Sequence, residues 1–302
     1  MTRDLRERVL SGIALNRTPG FHFAGNFLGI ELAEVGASTR VVMEDGPHNT
    51  ASNGEVDPAT VFMVADIALA ASIRAQLAPN TRLATVSMQL QMNGEPIAGH
   101  VEARGEFAGF AAGAVARQGL ARVRLAAGGR EVGFGQGAFM ALDPPPGMTM
   151  FPVQPTRKLD VALPDEASLD PSERDILARA ERAMAPGEGS FVSRFFGIVP
   201  VATADGAACR MENGAHVGNR VGHAQGGILM GLAAATAATA LGAHWTLASI
   251  AASFVGPGEG EALEALASPE HRGRWTAVAR TQVAVPGGRR VLEVTTNHSR
   301  RE

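Results

Sequence analysis

Apolar residues lie on all faces of one stretch of the chain, Val56 to Ile73, and a single carboxylate, Asp66, lies at its centre. Asp57 is a typical N-cap and Pro58 a typical first helical residue, so the pattern predicts a helix that ends near Leu77. A helix that is apolar on all faces is expected to be buried. A carboxylate inside it is costly unless it is hydrogen-bonded or protonated, which makes Asp66 a candidate catalytic acid. The alternative is an Asp that is simply satisfied by a neighbouring hydroxyl or backbone group.

A second uncharged run, residues 226–243, is built mainly from Ala, Gly and Thr, and predicts another buried helix at residues 226–241 rather than a membrane span. Strand-like alternation follows each of the two helices. The breaks Asn93-Gly94 and Gly128-Gly129 are typical of hairpins, so the sheet should be antiparallel. The strands are predicted at residues 83–92, 98–107, 114–125 and 131–142, and again at 247–255, 261–267, 275–285 and 290–297.

The segments before the two buried helices also repeat. An amphipathic helix at residues 2–15 and extended segments at 27–34 and 38–44 have counterparts at 171–184, 195–201 and 207–212. Between the copies, residues 143–171 are rich in Pro and predict an extended surface linker. The strand openings LATV at Leu83 and LASI at Leu247 are alike. The sequence therefore predicts a duplicated α+β chain, with domains at residues 1–142 and 172–302.

Composition narrows the class of function. The chain has 27 Lys and Arg against 30 Asp and Glu, which offers no basic field to nucleic acid, so a small-molecule ligand is expected. One cysteine, Cys209, excludes an internal disulfide, and the charged N-terminus has no signal-peptide core, so we expect a cytoplasmic protein. No histidine spacing is typical of a metal site, and no cofactor is predicted. No G-x-S-x-G motif is present, which argues against a serine hydrolase of the usual kind.

One loop carries a more specific pattern. The residues from Asn219 to Gly227, NRVGHAQGG, resemble the N-x-x-G-x-x-H-G-G loop of acyl-CoA thioesterases of the phenylacetate-pathway and 4-hydroxybenzoyl-CoA type, with Gln225 at the position of the family's His. In that family the catalytic Asp lies nine residues after this His. Nine residues after Gln225 is Ala234, whereas Asp66 lies nine residues after Asp57.

The resemblance implies a tandem, or double, hotdog: two long buried helices, each wrapped by a curved antiparallel sheet. In such enzymes the acid of one unit faces the Gly-Gly loop of the other. One composite site would then unite Asp66 with Asn219, Gln225, Gly226 and Gly227. The other would pair Ala234 with Pro58 and should be inactive.

Each residue of the composite site has a role implied by the resemblance and a plainer alternative. Gly227 N–H, with Gly226 beside it, would stabilise an oxyanion, and the alternative is close packing of two small residues. Gln225 and Asn219 would hold water or the thioester, and the alternative is helix capping and turn formation. Gly222 and His223, in the same loop, are candidates for substrate contact. Asp66 would be a general base or a nucleophile.

Three functions remain open from the sequence. The first is an acyl-CoA thioesterase; the second is a hotdog hydratase or dehydratase with His223 facing Asp66; the third is a non-catalytic hotdog that binds an acyl-CoA or a partner chain. Arg74, Arg82 and Arg220 are candidates for the phosphates of coenzyme A. Exposed sheet edges predict a homo-oligomer, most simply a dimer.

Overall fold

The computed structural model describes residues 2–112 and 117–301. These residues form six α-helices and one antiparallel sheet of twelve strands. The elements of the first half are α1 (Thr2–Asn16), α2 (Phe23–Leu28), β1 (Glu31–Glu34), β2 (Ser38–Met43), α3 (Pro58–Arg74), β3 (Arg82–Met92), β4 (Val101–Phe110), β5 (Gln118–Ala127) and β6 (Arg130–Leu142). Those of the second half are α4 (Pro171–Met184), α5 (Phe191–Phe196), β7 (Val201–Thr203), β8 (Gly206–Glu212), α6 (Gly226–Leu241), β9 (Trp245–Phe254), β10 (Ala262–Arg272), β11 (Thr276–Ala284) and β12 (Arg290–Arg300).

The order of strands shows that the second half repeats the first. The two halves join where β3 pairs with β9, with Gln89 opposite Ala251. Outward from this junction the strands run β3-β6-β5-β4-β2-β1 on one side and β9-β12-β11-β10-β8-β7 on the other. Equivalent residues from α2 to α3 and from α5 to α6 are separated by 168 positions, as Asp57 is from Gln225.

The two long helices α3 and α6 form the centre of the molecule. Both are buried along almost their whole length, as expected from their apolar composition. Asp57 caps α3, because its Oδ1 accepts a hydrogen bond from Ala59 N at 3.0 Å, and Pro58 is the first helical residue. The helix is three residues shorter than predicted, since the chain after Arg74 continues as turns.

Two predictions of extended structure are wrong in part. Residues 27–34 and 195–201 were expected to be extended, but each begins within a short helix, α2 or α5. Ser190 caps α5, and the helices end at Gly29 and Gly197, whose φ angles of 67° and 77° favour glycine. The phenylalanines of these helices pack across the boundary between the halves, as Phe27 does against Phe195 at 5.1 Å between ring centroids. Tertiary packing therefore outweighs the strand preference of Phe here.

The segment between the halves has no regular structure apart from a 3₁₀ turn at Glu166–Ser168, and most of its residues are exposed. It lies against the edge strand β1, where Leu32 N donates to Thr156 Oγ1 at 2.8 Å and Thr156 N donates to Leu32 O at 2.9 Å. The domain limits at residues 142 and 172 remain a prediction. Residues 114–116 of one predicted strand lie outside the described residues, and the rest of that strand forms β5. Among the described helices, none is long and apolar enough to cross a membrane.

Candidate active site

The carboxylate of Asp66 and the N-terminus of α6 meet at the contact between the halves. Asp66 lies in the third turn of α3, and Gln225 is the N-cap of α6. Gln225 Nε2 donates a hydrogen bond to Asp66 Oδ2 at 2.6 Å. Its other amide atom, Oε1, accepts from Ile228 N at 3.0 Å. Gln225 thus caps one helix and binds the acid of the other with the same side chain.

A third side chain completes the contact, and no motif in the sequence points to it. Thr85 Oγ1 donates to Asp66 Oδ1 at 3.2 Å. Thr85 lies on β3, where the pairing with β6 shifts register between Thr85 and Ser87. A threonine in a strand is ordinary, so only the position of β3 beside α3 identifies it. Both carboxylate oxygens of Asp66 therefore accept a hydrogen bond from a neutral donor.

Burial determines the acidity of Asp66. The residue is only 7% exposed, and this desolvation raises the pKa of Asp66 to about 7, while the hydrogen bond from Thr85 opposes part of the rise. A carboxyl group with a pKa near neutrality is suited to accept and return a proton at physiological pH. Its perturbation by burial is typical of functional carboxyl groups.

The two adjacent glycines have different surroundings. A Cβ on Gly226 would lie 3.2 Å from Asp66 Oδ2 and 3.3 Å from Thr85 Oγ1, so a side chain here would press on the acid and on its hydrogen-bond donor. A Cβ on Gly227 would lie 2.4 Å from the backbone N and Cα of Met63, so this glycine allows α6 to cross α3 closely. The packing alternative considered for the Gly-Gly pair thus applies to Gly227.

The first two N–H groups of α6 have no hydrogen-bond acceptor within the described residues. Gln225 Oε1 binds the N–H of Ile228, the third helical residue. Among the described residues, no acceptor bonds to the N–H of Gly226 or of Gly227. Free N–H groups at the positive end of a helix dipole stabilise negative charge, and here they adjoin Asp66.

The other predicted site residues do not hydrogen-bond to the acid. Asn219 Oδ1 accepts from Val221 N at 3.0 Å and His223 N at 3.1 Å, and Gly222 has a positive φ of 82°, so both shape the turn. His223 Nε2 lies 2.9 Å from Glu259 Oε1. The pair of His223 and Asp66 that the hydratase hypothesis requires is therefore not formed. In the described part of the chain, no three His, Cys, Asp or Glu side chains are grouped as a metal site would need.

The equivalent position in the other half has different chemistry. Asp57 takes the place of Gln225, and Ala234 takes the place of Asp66. The second carboxylate oxygen of Asp57 accepts hydrogen bonds from the hydroxyl groups of Ser190, at 2.7 Å, and Ser193. These contacts fix Asp57 in the packing between α3 and α5. No acid faces it from α6 at position 234.

Similarity searches support the fold. No protein-family model matches the chain, and no curated protein matches its sequence. Solved structures resemble it over most of its length. A 12:0-ACP thioesterase from Umbellularia californica has a TM-score of 0.56 at 10% identity and covers 88% of this chain and 95% of its own. A tesB protein from Mycobacterium avium subsp. paratuberculosis has a TM-score of 0.54 at 13% identity and covers 90% and 96%. A protein with a hot dog fold from Alicyclobacillus acidocaldarius has a TM-score of 0.51 at 9% identity and covers 87% and 93%.

The chain has a double-hotdog fold. Several of its structural neighbours are named as thioesterases or putative thioesterases, and at these identities the likeness is one of fold alone. The double hotdog brings together, from opposite halves, Asp66 and Thr85 of the first and Gln225 and Gly226 of the second. This arrangement provides a carboxyl group of raised pKa, two neutral donors that bind its oxygens and two N–H groups without an acceptor among the described residues. It is the chemistry needed to add water to a polarised carbonyl.

Proposed function

We propose that this protein is an acyl-CoA thioesterase that hydrolyses its substrate at one composite site between the two hotdog halves. The observation that carries the proposal is the 2.6 Å hydrogen bond from Gln225 Nε2 to Asp66 Oδ2. It joins a buried carboxylate of the first half to the N-terminus of a helix of the second, where the N–H groups of Gly226 and Gly227 are free. A base beside preorganised N–H donors is suited to attack on a thioester carbonyl.

In the proposed reaction Asp66 acts as a general base. It takes a proton from water while the water oxygen bonds to the thioester carbonyl carbon. Gln225 and Thr85 hold the two carboxylate oxygens in position, and the N–H groups at the start of α6 stabilise the charge on the carbonyl oxygen. When the tetrahedral intermediate collapses, the carbon–sulfur bond breaks. The thiolate leaves with the proton from Asp66, and the products are a carboxylic acid and a thiol.

A nucleophilic role for Asp66 would proceed through an anhydride. We favour the general base because both carboxylate oxygens already accept hydrogen bonds, which lowers their nucleophilicity. The two routes differ in a single turnover in H₂¹⁸O. The general base delivers the label to the product acid, whereas water attack on the enzyme side of an anhydride leaves the label in Asp66, as mass spectrometry of the peptide would show.

The main test is release of free thiol from a panel of short, medium, long and aromatic acyl-CoAs. Asp66→Asn is expected to lower kcat by about 10²–10⁴-fold, the usual contribution of a general base. Gln225→Ala should also lower kcat, because the carboxylate loses its orienting donor. Asp57→Asn is the matched control, since Asp57 is a buried aspartate that caps α3, the helix that carries Asp66, and has no hydrogen bond to the site. Hydrolysis that is indifferent to Asp66→Asn, or that fails equally with Asp57→Asn, would refute the proposal.

A further inference from the structure

Two large apolar side chains adjoin the acid inside the first half. Phe139 lies directly opposite Thr85 in the pairing of β6 with β3, so both side chains are on the face of the sheet that α3 covers. Leu69 follows Asp66 by three positions, which places it on the same face of α3. Both apolar residues are at most 1% exposed. Leu69 and Phe139 therefore form the interior wall beside the acid.

This wall is closely packed, because it lies over glycines of the sheet. Gly137 is two residues before Phe139 on β6 and faces the same side. A Cβ on Gly137 would lie 2.9 Å from Phe139 Cε2 and 3.0 Å from Leu69 Cδ1. Gly119 is opposite Phe139 on β5, and a Cβ there would lie 2.4 Å from Ile73 Cγ2. The three apolar side chains thus take the space that side chains at positions 119 and 137 would fill.

The crossing of the two long helices limits the direction in which an acyl group can extend from the acid. The carrier arm of a thioester is polar and remains on the solvent side, so the acyl group points into the protein. Toward the start of α3 the interior is occupied by α6, because a Cβ on Gly227 would lie 2.4 Å from the backbone of Met63. We therefore expect the acyl group to extend the other way, toward Leu69 and Phe139.

The equivalent wall of the second half is built from different residues. Ala237 takes the place of Leu69, at the separation of 168 positions that relates α3 to α6. His298 takes the place of Phe139, since it pairs with β9 directly after a register shift like the one beside Thr85. Both replacements are buried. The hotdog architecture therefore accepts Ala and His at these positions and does not itself require the bulk of Leu69 and Phe139.

We propose that Leu69 and Phe139 end the acyl site and restrict the substrate to thioesters of short acyl groups. This inference rests on the proposed function, since it assumes that a thioester carbonyl is attacked beside Asp66. Leu69 lies three residues beyond Asp66, a rise of about 4.5 Å along the helix, which is room for an acyl chain of about four carbons. A longer or aromatic acyl group would have to displace a buried side chain from a packed layer.

The experiment compares acetyl-, butyryl-, hexanoyl-, octanoyl- and benzoyl-CoA by release of free thiol. The variants are Leu69→Ala, which copies the equivalent position of α6, and Phe139→Leu. The quantity compared is the ratio of kcat/KM for hexanoyl-CoA to kcat/KM for butyryl-CoA, because this ratio does not depend on the fraction of enzyme that is folded. Leu241→Ala is the matched control. Leu241 is a buried helical leucine of a separate core cluster, at the opposite end of α6 from Gln225 and about 24 Å along the helix.

The expected result is a change in chain-length preference that only the wall variants show. The wild type should have its highest kcat/KM for acetyl- or butyryl-CoA, about tenfold or more above that for octanoyl-CoA. Leu69→Ala should raise the hexanoyl-to-butyryl ratio about tenfold, because each additional buried methylene contributes about fourfold. Phe139→Leu should raise the ratio in the same direction. Leu241→Ala should leave the ratio as in the wild type even where its Tm falls.

The outcomes separate this inference from the proposed function. A wild type that hydrolyses octanoyl- or benzoyl-CoA as well as butyryl-CoA would overturn the inference and leave hydrolysis at Asp66 in place. A ratio that neither wall variant changes, or that Leu241→Ala changes equally, would overturn it in the same way. If the wild type hydrolyses none of these thioesters and no longer one, the proposed function fails and the inference falls with it.

Discussion

Adding one methyl group to Gly226 or to Gly227, which are adjacent in the chain, should affect different properties of the protein. Gly226→Ala places a Cβ 3.2–3.4 Å from the carboxylate oxygens of Asp66 and from Thr85 Oγ1, which are the ends of side chains that can shift. Gly227→Ala places a Cβ 2.4 Å from the backbone of Met63, which can move only if α3 and α6 separate. We expect the first variant to fold and lose activity, and the second to lose stability.

The contact distances set the magnitudes. At position 227 the new atom is about 1 Å inside ordinary van der Waals contact, and overpacking of this kind costs about 1–3 kcal/mol. The better helix propensity of Ala offsets up to about 1 kcal/mol, so from the middle of that range a net loss of about 1 kcal/mol remains, with a fall in Tm of about 2–4 °C. At position 226 we expect stability to change by less than about 0.5 kcal/mol, while kcat/KM falls about 100-fold because the methyl group occupies the space beside the acid.

Thermal unfolding and thiol-release kinetics on the two purified variants measure both effects. The wild type serves as the reference for both measurements. Gly226→Ala with full activity would show that substrate does not use the space beside Asp66. Gly227→Ala with unchanged Tm would show that the crossing of the helices tolerates a side chain, and the packing argument would be wrong.

Two further predictions concern Asp66 and pH. Because burial raises the pKa of Asp66 to about 7, log kcat/KM should rise with unit slope up to about pH 7. The hydrogen bond from Thr85 lowers this pKa, so Thr85→Val should move the rising limb of the profile to higher pH. A limb that does not move would exclude Thr85 as a donor to the base. The folded pKa lies above the ordinary value of 3.8, so the contribution of Asp66 to stability is present below about pH 4 and is lost as pH rises through 7. The free energy of unfolding of Asp66→Asn, measured in urea, should therefore rise relative to that of the wild type between pH 4 and pH 8, by at most about 4 kcal/mol. A difference in unfolding free energy that is constant with pH would contradict a buried ionisation.

The parts of the fold that could be predicted from the sequence are those set by local rules. The Asp57-Pro58 start of α3 and the whole of α4 follow from capping and periodicity. The short helices α2 and α5 could not be predicted in this way, because six residues rich in Phe carry no readable period and depend on packing across the halves. Strand β10 continues beyond the predicted end at residue 267, since Pro269 lies at a register shift where no ladder hydrogen bond is required of it.

The candidate site could be predicted only in outline. The resemblance led to the expectation that Asp66 and Gln225 share a site, and the two side chains are hydrogen-bonded. The contribution of Thr85 depends on where β3 runs beside α3, which no spacing in the sequence encodes. The different surroundings of Gly226 and Gly227 depend on the angle at which two helices cross, because the two residues are chemically identical.

The contact between the inter-domain segment and β1 affects how copies of the chain can associate. A sheet can grow by adding strands at its two edges, but the hydrogen bonds between Leu32 and Thr156 occupy one of them. The other edge is β7, a strand of three residues whose first side chain, Val201, is 61% exposed. A sheet with one blocked end cannot form a continuous fibre. Edge-to-edge pairing through β7 would stop at two copies. The segment that joins the halves therefore also prevents copies of the chain from polymerising through their sheet edges.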